Sequence, residues 1–244
     1  MNEIEKFEQE RKERIFANAD DKNFKDISTQ WTIRSMELKY AYNFSWMGRP
    51  IIQHPQDMIA MQELFWKVQP DLLIETGIAH GGSVIYYASL MELLGGDGHV
   101  LGIDIDIRQH NRNEIEKHPM FKRITMFEGS SLDSEMVSKV AEFSKKYKRI
   151  MLTLDSNHTH DHVLNELRFY TPLVTPGSYC VVFDTVVEDM PKGSYSDRPW
   201  DKGNNPKTAV WEFLKTNSDF EIDREIENKL LITVAPEGYL KRIK

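Results

Sequence analysis

The 244-residue chain has one cysteine, Cys180, so no internal disulfide braces it. Cys180 lies in the apolar run Tyr179 to Phe183, where a lone thiol reads as buried core in a cytoplasmic protein. Long apolar stretches are missing too; none approaches the ~18 uninterrupted residues a membrane helix needs. Met1 to Arg14 is densely charged and lacks the apolar core of a secretory signal. There is no long basic run, and 31 basic against 38 acidic residues leave a formal charge of −7. A nucleic-acid backbone is therefore not an expected partner. Repeats and low-complexity tracts are absent as well. What remains is a chain 40% hydrophobic, of a length that suits one domain with an appendage.

The appendage comes first. Residues 1–50 are rich in charge with interspersed Phe7, Ile15, Phe16, Trp31, Ile33, Met36 and Leu38. They read as helices packing on the main body or on a second subunit, while the first twenty read equally as a mobile leader. Residues 51–244 form the main domain. Met58 to Val68 has helical spacing and stops before Pro70. Short apolar strands are expected at Asp71 to Glu75, His99 to Asp106, Arg123 to Glu128, Arg149 to Asp155 and Ser178 to Asp184. Helices are expected at Val84 to Leu94, His162 to Tyr170 and Ala209 to Lys215. Phe220 to Asp223 with Leu230 to Val234 reads as a closing strand pair, one of them antiparallel. The alternation predicts an α/β fold, Rossmann-like and doubly wound on a mostly parallel sheet, with an N-terminal helical appendage.

In such sheets ligands bind beyond the carboxyl ends of the strands. The first of these ends carries Glu75-Thr-Gly-Ile-Ala-His-Gly-Gly-Ser83. Gly77 permits a tight turn, Gly81 and Gly82 let the next helix start close to the sheet, and Ser83 is placed to cap it. The turn has no Gly-Lys-Ser/Thr and no G-x-G-x-x-G, so a cofactor without phosphates is favoured over nucleotides. Glu75 would repel a pyrophosphate but accept from an ammonium. Asp104 ends the second strand, 22 positions after Gly82, where Rossmann-like folds place an acid on ribose hydroxyls. Ser130 and Ser131, after the third strand, are placed to flank an adenine. Each feature alone is also compatible with an ordinary βα turn; together they describe an adenosine pocket.

Strands four and five both end in aspartate, Asp155 and Asp184. Neighbouring strands would bring the two carboxylates together, and such a pair needs a proton or a cation between them. Oxygen donors favour Mg²⁺, Ca²⁺ or Mn²⁺. His158 is three residues past Asp155 and suits a general base. His160 and His162 read as the surface of a helix start; a zinc site from the three histidines is the rival, as is an iron triad of His158, His160 and Asp155.

The sequence resembles the cephalosporin hydroxylase-like proteins, close to macrocin-type sugar O-methyltransferases, from about residue 45 onward. The motifs are Trp46-Met-Gly-Arg-Pro-Ile-Ile-Gln53, Pro70 to Ser83, Gly102 to Arg108, Leu154-Asp-Ser-Asn-His158, Leu173 to Tyr179 and Gly203-Asn-Asn-Pro206. The resemblance implies a class I methyltransferase fold binding S-adenosylmethionine and Mg²⁺. It implies cofactor contacts at Glu75, Gly77, His80, Gly81, Gly82, Ser83 and Asp104, metal contacts at Asp155 and Asp184, and a base at His158. The acceptor would be a hydroxylated small molecule, a sugar first of all, and the protein a homo-oligomer. One departure stands out: the family usually has an acid just before the aspartate ending strand five, and here that position is Phe183. It leaves room for a non-catalytic cofactor-binding partner protein, while the family's hydroxylase name suggests a second rival, an oxidative enzyme on the same scaffold. The long Gly/Pro-rich stretch 188–206 reads as a lid, with Tyr195, Arg198 and Trp200 suited to a sugar.

Overall fold

In a computed structural model covering residues 1–244, the charged leader forms two helices, α1 (Glu3–Asp20) and α2 (Lys22–Glu37). Asn2 and Glu5 make a capping box on α1, and Asp21 caps α2. Only Ile15 and Ala19 of α1 are buried, and α1 leans on a helix near the far end of the chain, Arg224–Leu230. Of the placements open to the sequence, packing on the main body is the one seen.

A small hairpin, β1 (Ser45–Trp46) and β2 (Arg49–Pro50), leads into α3 (Pro55–Val68). Strands and helices then alternate through β3 (Leu72–Thr76), α4 (Gly82–Leu94), β4 (His99–Asp104), α5 (Gln109–Glu116), β5 (Ile124–Glu128) and α6 (Ser134–Ser144). The second half runs β6 (Ile150–Leu154), α7 (His160–Tyr170), β7 (Tyr179–Val182), α8 (Pro206–Thr216), β8 (Phe220–Ile222), α9 (Arg224–Leu230) and β9 (Tyr239–Arg242). The large sheet has seven strands in the order β5-β4-β3-β6-β7-β9-β8. The first five are parallel, and β9 is antiparallel to both of its neighbours.

The apolar runs are continuous because the parallel strands are covered on both faces. Leu73, Val100, Met151 and Val181 point toward α3 and α4, where Met61, Leu64, Phe65 and Tyr87 close one core. Their alternates Ile74, Leu101, Leu152 and Val182 face Val140, Leu164, Leu167 and Phe213 of α6, α7 and α8. No helix is long and apolar enough to cross a membrane.

The closing strand pair is antiparallel as expected, but its second member is Tyr239–Arg242 and not Leu230 to Val234. A buried carboxylate decides this. Asp57 of α3, 0 % exposed, accepts from the Val234 amide at 2.9 Å, from the Tyr239 hydroxyl at 2.7 Å and from the Thr233 hydroxyl. Those bonds draw residues 233–234 away from the sheet edge and onto α3. Burial raises the Asp57 pKa to about 6, against the pull of its three donors.

Asp57→Ala would leave three buried donors unpaired. We expect a loss of roughly 2–4 kcal/mol in urea unfolding with an unchanged m-value; a loss under about 1 kcal/mol would mean the clamp is not structural.

Candidate active site

The chain passes from β3 to β4 and β5 on one side of the sheet, then crosses to β6 and β7 on the other. The switch point lies between β3 and β6, and register places Thr76 level with both Ile103 and Leu154. Gly77, Asp104 and Asp155 therefore leave the sheet side by side. Two cavities open there, about 270 Å³ and about 410 Å³, sharing Gly77, Ala79, Asp155, Ser156 and Trp200 as common wall.

Three of the turn's glycines have distinct reasons. A Cβ on Gly77 would sit 2.1 Å from the Asp155 carbonyl oxygen, so no side chain fits between the strand ends. A Cβ on Gly82 would sit 2.1 Å from the Pro50 carbonyl oxygen of the hairpin. Gly81 is left-handed, with φ +84°, and forms the N-cap of α4. The cap carries no side-chain hydrogen bond, so Ser83 does not cap this helix. It lines the larger cavity instead, and its hydroxyl holds down the pKa of Glu75.

Asp104 shapes the turn. Its Oδ2 accepts from the amides of Ile78 at 2.7 Å and Ala79 at 3.1 Å, and its Oδ1 from Asp106. From the other side, Arg49 donates to the His80 carbonyl at 3.0 Å and Asn111 to the Ala79 carbonyl at 2.9 Å. Asp104, Ser130 and Ser131 line the smaller cavity; His80, Gly82 and Ser83 line the larger. The Ser131 hydroxyl is committed inward, donating to Glu166 at 2.6 Å.

Glu75 lies behind the turn, 1 % exposed, with Oε2 lacking any hydrogen-bond partner. Burial raises its pKa to about 8, aided by Asp104 and opposed by the Ser83 hydroxyl. An orphaned buried carboxylate oxygen beside the uncapped amino end of α4 fits a cofactor carrying an ammonium group.

Asp155 and Asp184 do meet, and His158 joins them; one donor atom from each lies within 4.8 Å of the others. His158 Nε2 is 3.1 Å from Asp184 Oδ2, and Gln53 donates to Asp155 Oδ2 at 3.2 Å. Burial, then Asp184, Glu75 and Glu166, raise the Asp155 pKa well above the usual carboxylate range. Mutual repulsion of this kind is what a divalent cation relieves, so the donor set fits one. Asp184 itself is left-handed, φ +55°, a conformation that costs a non-glycine residue about 1–2 kcal/mol. The cost turns its carboxylate off the strand direction and toward His158.

The other histidines diverge, so neither the zinc cluster nor the iron triad forms. His160 Nδ1 pairs with Thr208 at 2.8 Å and its Nε2 with Glu212 at 3.2 Å, on the side of α8. His162 was expected at the surface too, yet it lines the smaller cavity.

The sequence model of the Rhamnosyl O-methyltransferase/CmcI family matches residues 38–243. The chain belongs to this family. The match begins somewhat before residue 45, taking in Tyr40 and Tyr42. Rhamnosyl O-methyltransferase of Mycobacterium tuberculosis (strain H37Rv) is 30% identical over 201 residues, covering 81% of this chain and 78% of that protein. The Mycobacterium leprae protein of the same name is 28% identical over 200 residues, 81% and 82% of the two chains. Among solved structures, that of cmcI with Mg and SAM aligns with TM-score 0.58 at 19% identity, over 83% of this chain and 78% of that one. The O-methyltransferase from Bacillus cereus in complex with SAH gives 0.52 at 16%, over 84% and 86%. At these identities the two structures speak for the fold.

Within the family frame, Phe183 is core: it is 1 % exposed, packed in the same cluster as Tyr87 and Val234. A glutamate there would bury a charge in the apolar core. Residues 188–206 are tied down by Glu188, which accepts from Gly203 and Asn205, and by Asp201, which accepts from Gly193. Trp200 meets His158 edge to face, ring centroids 4.7 Å apart, and lines both cavities. Gln53, Arg49, Asn111, Tyr40 and Tyr42 were not singled out as site residues by reading the sequence, and His162 was weighed only as a zinc ligand or a helix-start surface residue. For Arg49 and Gln53 the Trp46–Gln53 motif was the available signal; for Asn111, Tyr40 and Tyr42 there was none.

The raised pKa of Glu75 has a stability consequence. Its carboxyl stays protonated in the fold up to about pH 8, while in the unfolded chain it ionises near 4.5. Its contribution is whole below pH 4.5 and is lost as pH rises through about 8. Thermal unfolding from pH 5 to 9 should show Glu75→Gln losing less stability than the parent, the difference being on the order of 4 kcal/mol. Parallel curves would show that Glu75 ionises normally.

Proposed function

We propose that the protein transfers the methyl group of S-adenosylmethionine to a hydroxyl of a sugar or similar hydroxylated small molecule, assisted by Mg²⁺. The observation that carries this is the Asp155–His158–Asp184 cluster on a cavity whose wall includes the glycine turn. The mycobacterial relatives are named for a rhamnosyl acceptor, so a deoxyhexose hydroxyl is the first acceptor class to test.

When bound, S-adenosylmethionine supplies an electrophilic methyl group, and Mg²⁺ lowers the pKa of the acceptor hydroxyl and orients it. Asp155 and Asp184 would hold the cation, with Gln53 orienting Asp155. His158 donates Nε2–H to Asp184, which leaves the Nδ1 lone pair to take the acceptor's proton. In this reading the turn Gly77, His80, Gly81, Gly82 and Ser83 cradles the cofactor, Glu75 faces its ammonium and Asp104 its ribose. Ser130 and Ser131 border the adenine. Tyr40 and Tyr42 bring the appendage, residues 1–50, into the acceptor wall of the 51–244 domain. Phe7, Phe16, Phe24 and Ile27, exposed on α1 and α2, serve a homo-oligomer, and the protein works in the cytoplasm.

Calorimetry with S-adenosylhomocysteine and a methyl-transfer assay test the reading. Activity should depend on added Mg²⁺ and vanish in EDTA. His158→Ala should lower turnover by about 10²–10⁴-fold with S-adenosylhomocysteine affinity retained. Full turnover in EDTA together with an active His158→Ala protein would sink the metal-and-base mechanism.

Trp200→Ala separates the lid's roles. Because the indole borders both cavities, we expect weaker acceptor use and weaker S-adenosylhomocysteine binding together. Loss of one alone would show that Trp200 serves a single ligand.

A further inference from the structure

Beneath the smaller cavity lies a buried carboxylate with no lysine or arginine bonded to it. Glu166 of α7 is 0 % exposed; its Oε1 accepts from the Ser131 hydroxyl at 2.6 Å and the Ser156 hydroxyl at 2.8 Å. Ser131 is itself fixed, because the Tyr170 hydroxyl donates to its carbonyl at 2.6 Å. His162, one turn before Glu166 on α7, completes the group. Its Nε2 lies 3.2 Å from Ser131 Oγ, 3.2 Å from Ser156 Oγ and 3.3 Å from Glu166 Oε1.

This arrangement determines a tautomer. Both serine hydroxyls spend their single hydrogen on Glu166, so each offers His162 only lone pairs. The carboxylate oxygen offers lone pairs as well. Three acceptors around one nitrogen require that Nε2 carry the hydrogen. A neutral imidazole then has its acceptor lone pair on Nδ1. Nδ1 makes no hydrogen bond within the chain, and the ring borders the cavity formed by Gly77, Asp104, Ser130 and Trp200.

We propose that His162 reads the adenine of the S-adenosyl cofactor, its Nδ1 accepting a hydrogen bond from the exocyclic 6-amino group, with Glu166 as the positioning residue that holds the acceptor tautomer. The proposal rests on the cofactor assignment above and adds a basis for choosing the base. Adenine presents a donor at C6, and hypoxanthine presents a carbonyl oxygen there. The oxygen would face the Nδ1 lone pair with no hydrogen between them, and a buried polar pair left unmatched is what makes such discrimination steep.

S-adenosylhomocysteine and its 6-oxo analogue, S-inosylhomocysteine, are the probes, compared by calorimetry at pH 8.5. The full-length protein should bind the adenosyl compound at least about tenfold more tightly. His162→Phe keeps a ring in the wall and should bring the ratio close to one, mainly by weakening the adenosyl compound. Glu166→Gln frees the tautomer and should narrow the ratio while circular dichroism stays unchanged. ¹⁵N shifts of the His162 ring in the parent protein report the tautomer without any variant, and a protonated Nε2 with a bare Nδ1 is expected. Equal affinities in the parent, an undiminished ratio in His162→Phe, or a hydrogen on Nδ1 would each overturn the proposal. Failure of the parent to bind S-adenosylhomocysteine at all would overturn the cofactor assignment, and this inference with it.

Discussion

The site depends on how closely two strand ends approach each other. The Asp155 amide donates to the Thr76 carbonyl at 2.9 Å, and the Gly77 amide to the Ile103 carbonyl at 2.8 Å. With the backbones this close, Gly77 has no room for even a methyl group. That contact sets the level at which β3, β4 and β6 release their chains. It brings Asp104, Asp155 and the glycine turn to one rim. Asp104 then uses its carboxylate to hold the turn from below, and Arg49 and Asn111 hold it by its carbonyls from the far side. A backbone gripped from both directions is preorganised for a ligand and has little to reorganise on binding.

The same geometry crowds together carboxyl groups that resist ionisation. Glu75 and Asp155 are both pushed up by burial, and Asp184 and Glu166 add to the field on Asp155. Folding tolerates such a cluster when function supplies the missing positive charge. An ammonium, a sulfonium and a divalent cation would each answer one part of it. Under the proposed function, a positively charged cofactor and a metal would meet this electrostatic demand of the strand ends.

Much of this was legible in advance. The five parallel strands, the two-sided core and helices α3, α4, α7 and α8 follow from apolar runs and 3.6-residue spacing, which are local properties. Helices α5, α6 and α9 were missed: α5 and α9 are short and polar, and only their tertiary neighbours select the helix. The misplaced closing strand has a similar cause. Leu230 to Val234 is apolar enough for a strand, but the bonds from Thr233 and Val234 to Asp57, a residue 176 or more positions away, place it elsewhere.

The division for the site is of the same kind. Sequence alone located the carboxyl end of each parallel strand to within two residues, because strand ends are marked by the change from apolar to polar; hence Asp104, Asp155 and Asp184 and the glycine turn between Glu75 and Ser83. It also showed that this turn has neither Gly-Lys-Ser/Thr nor G-x-G-x-x-G. Only the tertiary structure decided where the side chains point. Three histidines at alternate positions went to three different neighbours: His158 to Asp184, His160 to α8, His162 to a buried glutamate. Phe183 went into the core while Asp184 twisted out of it. The reason is that spacing along a loop carries no direction, since one change of backbone conformation redirects every side chain after it, and what selects that conformation is packing against segments far away in the chain.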